Sequence, residues 1–191
     1  MWYYLATLLD KCKPRMKKVA SWIKKVQIAM DSPHSRWSPF QTTNHRLISL
    51  AKAITFTGNA TPSLLFWIII ALWGKSGVVF SFAALTGLLV YKFYKRIFVR
   101  PRPFQAHQNI TQHTAPPDEF SFPSGHTCNA TLMACAVVNT FPHPFVVALG
   151  SFWVILMGWS RVALGMHYPT DVIIGATIGL FLSASATGFL F

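Results

Sequence analysis

Five apolar stretches, separated by short polar breaks, constrain this chain more than any other feature. They run from Thr61 to Trp73 with an extension back through Leu47–Thr57, from Gly77 to Tyr94, from Thr127 to Phe141, from Phe145 to Trp159 and from Asp171 to Phe191. A helix needs about 20 apolar residues to cross a bilayer. The third and fourth stretches fall short alone and gain length from their flanks. Hydrophobic residues make up 52% of the 191 and charged ones only 12%, with a mean hydropathy of +0.40. That is too apolar for an ordinary soluble domain. The expected fold is all-α: an integral-membrane helical bundle with about five spanning helices over residues 47–191, preceded by a basic segment, residues 1–46.

The breaks set the topology. Gly74-Lys75-Ser76-Gly77 and Pro142-His143-Pro144 are tight turns, so the helices they join form antiparallel hairpins. Trp73 and Trp159 stand at segment ends, as interfacial anchors do. Gly175 and Gly179 form a GxxxG pair, which suits close helix packing. In the basic segment, Val19, Trp22, Ile23 and Val26 recur at helical spacing among Lys17, Lys18, Lys24 and Lys25. Two readings stay open there, an amphipathic helix on an anionic surface or a solvated basic tail. The net charge of +12 lies outside the apolar stretches and accompanies no nucleic-acid motif, so the membrane, not nucleic acid, is the expected partner. Cys12, Cys128 and Cys135 give neither a disulfide framework nor a metal spacing. No cleavable signal peptide is expected, because no basic region precedes Met1–Leu9 and no small-residue cleavage site follows it. Asn59, Asn109 and Asn129 begin Asn-x-Thr triplets that read as chance occurrences.

The chemically useful polar residues fall in three clusters. Alternating helices bring all three to one membrane face. In the first, Lys95 and Arg102 lie seven residues apart, and Pro101 and Pro103 stop the helix near Arg100. A rigid guanidinium fork and an ammonium suit phosphate oxygens. Arg96 and Arg100 read instead as the ordinary positive flank of a membrane helix. In the second, Pro123-Ser124-Gly125-His126 opens a helix. Free N–H groups at a helix start bind anions, Gly125 allows close approach, and Ser124 can cap the helix and donate its hydroxyl. His126 can protonate a leaving oxygen near neutral pH. The third holds Ser160-Arg161, then His167, then Asp171 behind Pro169. Pro169 suits a first helical turn. Asp171 can reach back to one nitrogen of His167 and leave the other free to attack, with Arg161 as a third cation. If Asp171 only capped its helix, Asn in its place would be nearly silent. If it orients His167, turnover should fall with little change in stability. The five acidic residues are scattered, so no metal site and no cofactor are expected.

Lys95-(six residues)-Arg102-Pro103, Pro123-Ser124-Gly125-His126 and Ser160-Arg161-(five residues)-His167-(three residues)-Asp171 together resemble the three-part signature of the type 2 phosphatidic acid phosphatase and vanadium haloperoxidase superfamily. The match covers about residues 45–190 and leaves out the basic segment. The resemblance implies metal-independent phosphate hydrolysis with His167 as the nucleophile of a phosphohistidine. It makes Asp171 the residue that orients His167 and His126 the proton donor to the leaving group. Lys95, Arg102, Ser124, Gly125 and Arg161 become the phosphate ligands. Membrane members act on phosphatidate, phosphatidylglycerophosphate, lipid A or undecaprenyl pyrophosphate, so the expected substrate is a phospholipid or polyprenyl phosphate. The alternatives are a vanadate-dependent haloperoxidase, disfavoured in so short and apolar a chain, and a lipid A phosphatase within the same class. The expected location is the cell (inner) membrane, multi-pass. The sidedness is open: all of the 17 Lys and Arg except Lys75 lie on the site face, which favours the cytoplasm, whereas the resemblance favours the opposite side.

Overall fold

The computed structural model describes residues 42–190, together with Ser21. The basic amphipathic segment read from the sequence lies outside the described residues, and all elements below belong to one compact unit. Among the described residues the secondary structure is entirely helical. The helices are α1 (His45–Thr57), α2 (Ala60–Ala71), α3 (Lys75–Phe98), the single turn α4 (Pro103–Ala106), α5 (Gly125–Thr140), α6 (Pro144–Ala163) and α7 (Pro169–Gly188).

The bundle has an apolar exterior. Leu64, Leu65, Ile68, Phe82, Leu89, Phe152, Ile155 and Phe181 are exposed, while Lys95, Arg100, Arg102, Arg161, His167 and Asp171 are buried. In water that inversion would be costly on both counts. In a bilayer the lipid tails solvate the outer side chains, and buried charges mark a site built for use. The segment Lys75–Ala106, which holds α3 and α4, and the helices Pro144–Ala163 and Pro169–Gly188 are each long and apolar enough to cross a membrane. α1 and α2 pass together, bent by 44° at the Gly58-Asn59 break. Helix α5 is the exception among the five expected spans. Its 16 residues cover only about 24 Å at the usual rise per residue. It packs against α3, α6 and α7, and those neighbours shield it from lipid.

Small residues bring α5 and α7 together. A Cβ on Gly175 would lie 2.4 Å from the Ser124 carbonyl oxygen, and one on Gly179 would lie 2.7 Å from that of Cys128. The GxxxG pair therefore seats α7 on the backbone of α5 and joins the second cluster to the third. The backbone N–H of Ser124 also donates to the carbonyl of Asp171 at 3.0 Å. At the other junction, α3 ends at Phe98, one turn past Lys95. Val99 follows in the left-handed region at φ 47°, a conformation that costs a β-branched residue about 1–3 kcal/mol. Pro101 then keeps Arg100 out of helical geometry. The turn directs both Arg100 and Arg102 inward, where their side chains are 3% and 0% exposed.

Candidate active site

The three clusters converge where the ends of α3 and α6 meet the starts of α5 and α7. Lys95 Nζ donates to Asp118 Oδ1 at 2.6 Å and to the Phe120 carbonyl at 2.8 Å. Arg102 donates to the same Asp118 oxygen through Nη2 at 2.6 Å. Its Nε reaches the Asp118 carbonyl at 3.1 Å and its Nη1 the Met166 carbonyl at 2.9 Å. Thus Lys95 and Arg102 do not share one helical face. They meet because both reach one carboxylate oxygen, Asp118 Oδ1.

Arg161, in the last turn of α6, is 1% exposed. Its Nη1 donates to Thr55 Oγ1 at 3.3 Å, and Thr55 also bonds Ser160 Oγ at 3.0 Å. Its Nε and Nη2 have no partner. A buried guanidinium with two unused donors is expensive unless an anion completes it.

Ser124 is the N-cap of α5, as its position suggests. Its Oγ accepts from the Thr127 N–H at 3.4 Å and lies 2.9 Å from Thr127 Oγ1. At Gly125 the space a Cβ would need is taken by the Tyr91 ring, 2.9 Å away, so packing gives a second reason for glycine there, beside the expected close approach to an anion. His126, one residue on, faces Asn59, and its Nε2 lies 3.0 Å from the Asn59 side-chain oxygen.

His167 occupies the bend between α6 and α7, after Gly165 at φ 72°. It is 2% exposed, and its Nδ1 stands 3.6 Å from Asp171 Oδ2. Burial holds its pKa well below the usual histidine value, and Arg161, Arg102 and Lys95 push it further down. The ring is therefore neutral near pH 7, the form a nucleophile needs. Asp171 sits in the first turn of α7 behind Pro169 and takes the capping role considered for it, while His167 Nδ1 faces it without a hydrogen bond. Asp171 Oδ2 accepts from the Tyr168 N–H at 2.9 Å and also faces His167.

Sequence reasoning missed four residues. Arg100 is no flank, unlike the exposed Arg96. It donates to Asp171 Oδ1 and to Thr170 Oγ1, and it stacks 3.9 Å from the Tyr168 ring centroid. Its signal was its place between Val99 and Pro101, where no helix can continue. Asp118 was readable only as one of five acidic residues in a chain with 17 cations. Thr55 and Asn59 come from α1 and from the α1–α2 break, and nothing local marks them. Among the described residues no three His, Cys, Asp or Glu side chains gather as metal ligands.

A buried triad of cations beside a neutral histidine and a paired carboxylate, at one end of a membrane bundle, defines a phosphate-handling membrane enzyme. The chain belongs to the PAP2 superfamily, whose family model matches residues 76–191, and its relatives include named phosphatases of lipid phosphates and diphosphates. It is 31% identical over 126 residues to decaprenylphosphoryl-5-phosphoribose phosphatase of Mycobacterium tuberculosis, covering 62% of this chain and 68% of that protein. It is 34% identical over 112 residues to the undecaprenyl-diphosphatase BcrC of Bacillus subtilis, covering 56% of this chain and about half, 51%, of that protein. Among solved structures, the transmembrane PAP2 type phosphatidylglycerolphosphate phosphatase of Bacillus subtilis superposes with a TM-score of 0.71 at 25% identity, over 99% of this chain and 96% of that one. Aquifex aeolicus LpxE shares the fold, with a TM-score of 0.71 at 21% identity over 80% and 92%.

Proposed function

We propose that this enzyme hydrolyses the phosphate monoester or diphosphate of a lipid through a phosphohistidine on His167. The observation that carries the reading is the buried Arg161, with two unused guanidinium donors, in the same closed site as a neutral His167 whose Nδ1 faces Asp171 at 3.6 Å. In this reading the phosphate takes the place of the Asp118 carboxylate on Lys95 and Arg102. It also fills the free donors of Arg161, with Ser124 contributing from the start of α5.

The steps follow from which atoms are committed. Nδ1 of His167 lies 3.6 Å from Asp171 Oδ2 with no hydrogen bond made; in this reading that contact closes when substrate binds, and Nε2 attacks phosphorus. The N–P bond forms as the P–O bond to the lipid breaks, and the leaving oxygen takes that electron pair and a proton from His126. Water then attacks phosphorus while His126 takes its proton. The N–P bond breaks, and its electron pair returns to His167. The cations hold the charge that spreads over the phosphoryl oxygens in both steps.

For the substrate class, the names of two relatives support a polyprenyl phosphate or diphosphate, since one is a decaprenylphosphoryl-5-phosphoribose phosphatase and the other an undecaprenyl-diphosphatase. A phospholipid phosphate is the second reading, supported by the likeness to a phosphatidylglycerolphosphate phosphatase along nearly the whole of both chains. The test is a quench of the purified protein with a lipid carrying radiolabelled phosphate. Protein-bound label that is stable in base and labile in acid, as an N–P bond is, should form in the wild type and be missing from His167→Ala. Label or phosphate release that survives His167→Ala would overturn the assignment.

A further inference from the structure

Asn59 departs from its local role. It is the N-cap residue of α2, with φ −69° and ψ 167°, and asparagine is among the best side chains for capping. Yet it makes no side-chain cap hydrogen bond. Its amide oxygen turns instead to His126, 67 residues away, at 3.0 Å from Nε2. The neighbouring glycine serves the same approach. A Cβ on Gly58 would stand 3.0 Å from His126 Cδ2 and 2.9 Å from Met157 Cε. The break between α1 and α2 is thus packed directly against the His126 ring. A local preference given up at a helix start, for a bond to a site histidine, marks a functional constraint.

The contact has a defined polarity. An amide oxygen can only accept, so His126 Nε2 carries a proton and donates it to Asn59. We infer that Asn59 is a positioning residue for the leaving-group step: it holds Nε2–H of His126, so that the proton delivered to the leaving oxygen comes from Nδ1. This rests on the reading of His126 as the proton donor. In the substrate complex the phosphate offsets the surrounding cations and His126 takes up a second proton from solvent, on Nδ1; when that imidazolium gives up its Nδ1 proton, the P–O bond breaks and the leaving oxygen becomes a hydroxyl. What remains is the neutral ring protonated on Nε2, the form that Asn59 already holds. Its free Nδ1 then takes the proton from the attacking water.

The consequence is selective. A proton donor matters most when the leaving group is poor and little when the leaving oxygen is already a stable anion. The full chain, purified in detergent, would be assayed on two phosphate monoesters with the same long hydrocarbon tail, one an alkyl ester and one a nitrophenyl ester. The readout is kcat/KM, which covers steps through P–O cleavage. General acid catalysis is worth roughly 10²–10⁴-fold, so His126→Ala should lose at least about 10²-fold on the alkyl ester and far less on the nitrophenyl ester; Asn59→Leu should show the same split at about 10-fold. Asn59→Asp, which keeps an acceptor oxygen in place, should retain most of the alkyl-ester rate. Asn59 is exposed, so neither variant should impair folding, and a melting curve checks that. Equal losses on both esters in Asn59→Leu, with the split intact in His126→Ala, would overturn the inference and leave the role of His126 standing. Loss of the alkyl-ester rate in Asn59→Asp as large as in Asn59→Leu would also overturn it. Absence of any split in His126→Ala would remove the proton-donor reading itself, and this inference with it.

Discussion

The guanidinium of Arg100 holds one oxygen of the Asp171 carboxylate, leaving the other for the Tyr168 N–H and for His167. Both partners are buried, at 3% and 0% exposure. Removing one charge from such a pair strands the other, at a cost of about 3–5 kcal/mol. Arg100→Gln should therefore lower stability by that order, measured by thermal or denaturant unfolding in detergent. Arg100→Lys keeps the charge but loses the stack on Tyr168 and the second donor to Thr170, and should fall between the two. If Arg100→Gln melts like the wild type, the ion pair has no structural weight.

Asp118 occupies two of the cations that a substrate phosphate would use. Its oxygen lies 2.6 Å from both Lys95 Nζ and Arg102 Nη2, while its side chain is one-third exposed and able to leave. Asp118→Asn removes the competing charge and leaves the cations uncompensated. Vanadate, which mimics the transferred phosphoryl group, should then inhibit more tightly, by about tenfold for each 1.4 kcal/mol of competition removed. Unchanged or weaker inhibition would show that Asp118 does not compete for the site.

The parts of this site that were legible in the sequence are those fixed by local chemistry. Pro169 before Asp171 and Pro123-Ser124 before Gly125 announce helix starts, and the apolar runs announce spans. The turns between them place three clusters on one face. What was not legible depends on contacts across the bundle. The stop near Arg100 was read from Pro101 and Pro103, and α3 ends at Phe98, but nothing local marked Asp118 as the point where Lys95 and Arg102 meet. Arg100 and Arg96 look alike in sequence. Only the turn at Val99 sends one inward and leaves the other outside. Thr55 lies in α1 and Asn59 at a 44° bend that the run from Leu47 to Trp73 does not reveal. Gly125 was read for close approach to an anion, and the packing of the Tyr91 ring against it was not legible.

The pH behaviour of His167 follows from its surroundings. Burial lowers its pKa, and Arg161, Arg102 and Lys95 lower it further. In the unfolded chain the same group titrates near the free-histidine value, about 6.5. Below that pH the unfolded state binds a proton that the folded state refuses, so stability is full above about 6.5 and declines as pH falls toward the depressed folded value. Ring-nitrogen NMR of histidine-labelled protein, with His167→Gln for assignment, should show a neutral His167 at a pH where exposed histidines are already charged. A ring that titrates with the exposed ones would contradict this environment.

Chelation should leave phosphate release unchanged. The described acidic and histidine side chains do not gather as ligands, and the cations that face the proposed phosphate position are Lys95, Arg102 and Arg161. A metal would have to compete with that positive field. Activity lost in chelator and restored by magnesium would show that the cations act on something other than the substrate phosphate.

Asp171→Asn separates the two duties of this residue. Asparagine is as good a cap as aspartate, so the bond from the Tyr168 N–H should survive. The charge that faces His167 Nδ1 at 3.6 Å is lost, and an amide can present its NH₂ there and favour the wrong tautomer. Turnover should drop by at least roughly 10²-fold, about 2.7 kcal/mol of barrier. From the sequence, stability was expected to change little. The ion pair with Arg100 alters that expectation, because Asn leaves a buried guanidinium without its counter-charge, at the same cost of about 3–5 kcal/mol. Combining Asp171→Asn with Arg100→Gln removes both charges together, so the double variant should be less destabilised than the sum of the two singles. Its turnover should stay as low as that of Asp171→Asn alone, since His167 still lacks its carboxylate. Initial phosphate-release rates beside unfolding curves for the four proteins decide it. Turnover recovered in the double variant would mean that Asp171 serves only to neutralise Arg100, and His167 would need another orienting group.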